Sequence, residues 1–218
     1  MCSSDLYRLD HLATRMRRNA ESLLVLAGAE PPRRRGRPVP LTEVLRVAVG
    51  EVADYGRIQL RETGPVAVAA EVAVDTAHLL AELMDNATQF SPPESTVVVS
   101  TTVGANGAAT VTVADRGIGM APVQIGEVNA LLADPPVTGL GLGRSLGFVV
   151  IARLAARHGI AVRLETEAGA GVVARVVLPA TLLGEGEGGA ATAPATATPD
   201  RKTTSELQSH LNLVCRLL

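Results

Sequence analysis

Aromatic side chains are nearly absent from this chain, whose 218 residues include two Phe, two Tyr and no Trp. Stacking on exposed bases is therefore a poor mode of recognition for it. Twenty basic against 22 acidic residues, a net charge of −2, also withhold the electropositive surface that a nucleic-acid backbone requires. Cysteine is just as scarce. Cys2 and Cys215 stand at opposite ends, and with only four His there is neither a ligand cluster of zinc spacing nor a disulfide framework, so a reducing cytoplasm is the expected compartment. Lys202 is the single lysine, which removes a P-loop or Schiff-base lysine from everything before it. Long apolar runs are missing too: the longest is about seven residues, around Leu146–Ala152, and Asp5 and Arg8 leave no room for a signal-peptide core. No membrane span is expected. What the chain does have is 47% hydrophobic residues, hence an aliphatic core.

Leu6, Leu9, Ala13, Met16, Ala20, Leu23 and Ala27 recur at alternating three- and four-residue steps, one face of a long helix that ends near Gly28. Four prolines and Arg33, Arg34, Arg35 and Arg37 between Ala29 and Pro40 read as a basic turn, a solvated loop or a surface for an acidic partner. The spacing of Leu41, Leu45, Ala48, Val52 and Tyr55 predicts a second helix over 41–55, with Thr42 as a possible N-cap. Helices of roughly 36 and 22 Å form an unequal hairpin too small to bury both faces, a problem that dimerisation into a four-helix bundle solves.

After Gly56 the pattern becomes β-rich. Strands are expected at 57–61, 66–69, 97–103 and 110–114, with a helix over Asp75–Phe90 and a hairpin at Asn106-Gly107. A flexible Gly- and Pro-containing stretch, a helix over Ser145–Arg157 and strands at 161–167 and 171–178 complete the domain, which Pro179 closes. Gly184–Asp200 consists of Gly, Ala, Thr, Pro, Glu, Asp and their like, a composition that cannot build a core. The expected organisation is a helical hairpin (1–56), an α/β domain (57–182), a disordered linker (183–203) and a C-terminal helix or tail (204–218).

Glu82 and Asn86 stand one turn apart on the same helix. A carboxylate can orient or deprotonate a nucleophile there, while a carboxamide oxygen ligates a hard cation such as Mg²⁺. Taken alone, such a pair is as readily a solvated helical face. The strand ending in Asp115-Arg116-Gly117-Ile118-Gly119-Met120 puts an acid at the mouth of a sheet, followed by two glycines that let backbone approach a ligand. The helix starting at Ser145-Leu146-Gly147-Phe148 offers free N–H groups for phosphate.

In that order, these features resemble the nucleotide site of the GHKL ATPase superfamily, which includes gyrase, MutL and the histidine kinases. The resemblance spans about Leu41–Pro179. Its stretches His78–Pro93 (HLLAELMDNATQFSPP) and Arg153–Ile160 (RLAARHGI) are similar to actinobacterial, Streptomyces-like sensor histidine kinases. The resemblance implies a Bergerat-type α/β sandwich, a mixed sheet with helices on one face, preceded by the helical hairpin. It implies ATP and Mg²⁺ as cofactors, with Asn86 holding the metal, Glu82 as general base or its polar substitute, and Asp115 accepting a hydrogen bond from the adenine amino group. Gly117 and Gly119 would let the backbone pass base and ribose. Two segments compete for the family's phosphate box. Gly139-Leu140-Gly141-Leu142 has its letters, whereas Leu146 and Gly147 have its distance from His158-Gly159; the second is preferred, with Gly139–Gly143 in a lid. Gly143-Arg-Ser-Leu-Gly147 also matches a serine-hydrolase elbow, but no expected strand precedes it and the only later Asp is Asp200.

Leu9–Arg18 resembles the phosphoacceptor helix of the same kinases, with His11 as acceptor, exposed opposite the apolar seam. His78 and His158 read as core or capping residues. The expected function is ATP-dependent autophosphorylation of a histidine by a homodimer, with relay to a response regulator or other signalling protein. An anti-sigma-like serine kinase and a non-catalytic ATP-binding scaffold are the alternatives.

Overall fold

The structure is a computed structural model that describes residues 20, 22–28, 36–61, 64–135, 146–166 and 171–185. His11, the arginine turn up to Arg35, Gly139–Gly143, Ser145 and the C-terminal tail lie outside the described residues. All described residues belong to one compact unit that ends at Gly186.

The elements are β1 (Val39–Pro40), α1 (Leu41–Gly50), β2 (Ile58–Leu60), β3 (Val66–Val68), α2 (Ala70–Gln89), β4 (Val97–Val103), β5 (Ala109–Ala114), α3 (Pro122–Ala133), α4 (Leu146–His158), β6 (Ala161–Thr166), β7 (Val172–Leu178) and β8 (Leu183–Glu185). Five strands form a mixed sheet in the order β2-β4-β5-β7-β6, parallel only at β2–β4. Its register sets Val99 opposite Val113 and Val113 opposite Ala174, all buried. Strand alternation therefore gives one face to the core. Leu79, Leu80 and Met84 of α2 and Ile151 and Leu154 of α4 join those residues in a single aliphatic cluster. This is the α/β sandwich expected from the sequence.

The hairpin at Asn106-Gly107 joins β4 to β5. Gly107 adopts φ +77°, and the Asn106 Oδ1 accepts the Ala108 N–H at 3.1 Å. Other boundaries differ from expectation. The helix expected to reach Tyr55 ends at Gly50, a residue that costs about 1 kcal/mol against Ala in a helix; Val52 is buried from the following turn, and Tyr55 begins a short 3₁₀ turn. Helix α2 begins at Ala70, five residues before Asp75, and is buried on nearly all sides, as a central helix should be. The stretch after Met120, read as flexible, contains α3: Pro122 occupies its first turn and the Gln124 side chain accepts the Ala121 N–H at 3.2 Å. The domain does not close at Pro179. Residues 183–185, assigned to the linker, form β8 and pair with β3, which also pairs with β1 in a small antiparallel sheet. Ladder bonds come from backbone, so composition alone did not reveal that strand.

Candidate functional site

A cavity of about 330 Å³ opens beside the end of β5, lined among others by Asn86, Phe90, Asp115, Gly119, Gln124, Glu127 and Phe148. Asp115 is buried, and its Oδ1 accepts the backbone N–H of Gly117 at 2.6 Å and of Val172 at 3.2 Å. Two donors fix the carboxylate plane. No described residue donates to Oδ2, which leaves that oxygen as an acceptor for a ligand.

The glycines around it are required by space. A β-carbon on Gly117 would run into the Phe90 carbonyl, and Gly119 has φ +72°. Gly171, which the sequence reading did not single out, has φ +82°, and a β-carbon there would lie 2.7 Å from Asp115 Oδ1. Thr166 Oγ1 donates to the Gly171 carbonyl at 2.8 Å and holds that approach. The only signal for Gly171 is its place as the first residue of an expected strand.

Asn86 of α2 and Phe148 of α4 both line the cavity. An ideal β-carbon on Gly147 lies 3.0 Å from Glu82 Oε2 and 3.7 Å from Asn86 Nδ2, so the first turn of α4 faces both side chains. Asn86 Nδ2 is buried with no hydrogen-bond partner, which leaves a donor for an acceptor atom such as a phosphate oxygen. No group of three His, Cys, Asp or Glu suited to a metal occurs among the described residues. One amide oxygen nonetheless fits Mg²⁺, which keeps water and phosphate oxygens around it.

Of the expected site residues, Asn86, Asp115 and Gly119 line the cavity, Gly117 borders Asp115, and Glu82 and Gly147 adjoin Asn86. Leu146 begins α4, is exposed and is not among the residues that line the cavity. Glu82 is buried, its Oε1 receiving the Ser22 hydroxyl at 3.2 Å, with His78 Nε2 at 3.5 Å. His158 pairs with Asp75 at 2.7 Å, and Arg157 donates to the same oxygen at 3.0 Å. Burial alone would raise the Asp75 carboxyl, but the hydrogen bonds and charges of His158 and Arg157 outweigh it and hold the group below its ordinary value.

Arg57 is a further residue with little sequence signal, because most of its partners are backbone carbonyls. Its guanidinium donates to Thr88 O at 2.9 Å, Ser95 O at 3.0 Å and Pro92 O at 2.6 Å. It thereby caps the C-terminal end of α2 and fixes the turn that carries Phe90 against Gly117.

Residues 71–182, about half of the chain, match the model of the family described as histidine kinase-, DNA gyrase B-, and HSP90-like ATPases. No curated protein matches the chain. Among solved structures, a mycobacterial sensor histidine kinase, MprB, is 25% identical, with 66% of this chain and 96% of that chain covered and a TM-score of 0.52. The ATP-binding domain of PrrB from Mycobacterium tuberculosis is 19% identical over 67% of this chain and 98% of its own, with a TM-score of 0.50. Full-length ShkA in complex with AMPPNP is 21% identical over 81% of this chain and 38% of its own, with a TM-score of 0.58. The last two show likeness of fold. Among the described residues no helix is long and apolar enough to cross a membrane. With the matched segment containing Glu82, Asn86, Asp115 and the glycines around them, the chain belongs to the histidine kinase-, DNA gyrase B- and HSP90-like ATPase family.

Proposed function

We propose that the chain is a cytoplasmic protein histidine kinase that binds ATP with Mg²⁺, phosphorylates a histidine, with His11 as acceptor, and passes the phosphoryl group to a response regulator or similar signalling protein. The observation that carries this reading is the convergence of Glu82 and Asn86 on Gly147, beside a cavity lined by both Asn86 and Asp115, the latter with one oxygen uncommitted. Such a layout separates recognition from chemistry. Asp115 Oδ2 accepts a hydrogen bond from adenine's amino group, the glycines admit base and ribose, and Asn86 contributes one oxygen to Mg²⁺. The metal supplies neutralisation of phosphate charge. Glu82 takes or orients the proton of the attacking group.

Homodimerisation is supported by the segment 22–28. Its Ser22 is buried and its Val25 and Leu26 pack on the core, while Leu23 and Ala27, with Ala20 before them, belong to the apolar stripe and are exposed. A second copy is the natural cover for that stripe. The test is incubation with γ-labelled ATP and Mg²⁺ followed by acid and alkali. Phosphohistidine is lost in acid and survives alkali; label with the opposite behaviour refutes the histidine acceptor, and tight ATP binding with no label favours a scaffold.

A further inference from the structure

The segment 22–28 lies outside the family-matched residues, yet it reaches the buried carboxylate of Glu82. Ser22 Oγ is 3.2 Å from Glu82 Oε1 and 3.3 Å from His78 Nε2, and all three residues are buried. One direction of donation satisfies this chain. A carboxylate only accepts and a hydroxyl has a single proton, so Ser22 donates to Glu82 and the Nε2–H of His78 donates to Ser22. The segment is anchored at two further points: Val25 enters the core, and Arg153 Nη1 on α4 donates to the Leu26 carbonyl. The second oxygen of Glu82, Oε2, faces α4: a β-carbon built on Gly147 would lie 3.0 Å from it.

We propose that Ser22 is a positioning residue for phosphoryl transfer, holding Oε1 of Glu82 so that Oε2 is presented to the first turn of α4. This rests on Glu82 as the base. A glutamate side chain turns about several bonds, and a base displaced by about an ångström loses most of its effect, so a fixed hydrogen bond to one oxygen is a direct means of aiming the other. His78, one helical turn before Glu82, supports that aim through Ser22 and with its own Nε2 at 3.5 Å from the same oxygen. The ATPase fold of 71–182 thus depends for its chemistry on a side chain 60 positions upstream of Glu82 and outside the matched residues. Turnover is in this way tied to docking of the N-terminal segment.

The test uses the full chain with γ-labelled ATP and Mg²⁺, measuring turnover against ATP concentration for wild type, Ser22→Ala, Ser22→Thr and Glu82→Gln. Ser22→Ala should lower kcat about tenfold, the worth of one hydrogen bond to a charged group, with KM within about twofold of wild type. Ser22→Thr, which keeps the hydroxyl, should recover most of the loss. A kcat that is unchanged or raised in Ser22→Ala, a loss confined to KM, no recovery in Ser22→Thr, or phosphate found on Ser22 itself would each overturn the proposal. Glu82→Gln separates the two readings. Full turnover in that variant refutes Glu82 as base, whereas its loss together with an unaffected Ser22→Ala refutes the positioning role alone.

Discussion

Replacing Asp115 by Asn separates ligand recognition from structure at a single atom. Oδ1 accepts two backbone N–H groups, from Gly117 and Val172, and an Asn carbonyl oxygen can accept both. The fold should therefore survive, with charge-assisted bonds weakened to neutral ones at a cost of about 1 kcal/mol. Oδ2 becomes an NH₂ group, which donates where the carboxylate accepted. Adenine's amino group then faces a donor. Losing a hydrogen bond to a charged group costs about 1.5–3 kcal/mol, or roughly ten- to a hundredfold in ATP affinity. Guanine presents a carbonyl at the same edge, so the ratio of GTP to ATP affinity should rise in the variant. Calorimetric titration of both nucleotides, with thermal unfolding of the nucleotide-free protein as a control for folding, measures this. Unchanged ATP affinity in a folded Asp115→Asn protein would refute the placement of the adenine edge against Oδ2.

Gly117→Ala should abolish measurable nucleotide binding and lower stability by about 1–3 kcal/mol, since its methyl group meets the Phe90 carbonyl rather than a side chain that can turn away; denaturant unfolding and titration report both. Arg57→Lys should behave nearly as Arg57→Ala, each losing about 2–3 kcal/mol by denaturant unfolding, because an ammonium cannot span the carbonyls of Thr88, Pro92 and Ser95. Rescue by lysine would mean that charge rather than the planar fork matters there. Asp75 is held below its ordinary pKa in the folded chain, so its contribution to stability is complete above about pH 4 and is lost as pH falls through the lowered folded value. The stabilities of wild type and Asp75→Asn should differ at pH 7 and converge in acid. Parallel curves down to the acid transition would count against the pairing with His158 and Arg157.

Features written in local pattern are legible without the structure. Alternating apolar residues gave β4, β5 and β7, the Asn106-Gly107 pair gave their hairpin, and the order of Glu82–Asn86, Asp115–Gly119 and Gly147 gave the candidate site. Helix α3 escaped because Gly126 interrupts a weakly amphipathic stretch in which Leu132 alone is fully buried, leaving little periodic signal. Strand β8 escaped because its pairing with β3 is made by backbone across more than a hundred residues of chain. Tertiary structure also decided which side chains share a site. Gly171 is needed only because Asp115 arrives beside it, Arg57 matters only where the α2 carbonyls converge on it, and Ser22 meets Glu82 through packing across 60 positions. Each is a contact between residues remote in the chain, whose partners are fixed by the packing of the sheet and helices; a local pattern of polar and apolar residues specifies the elements but not which of their surfaces meet.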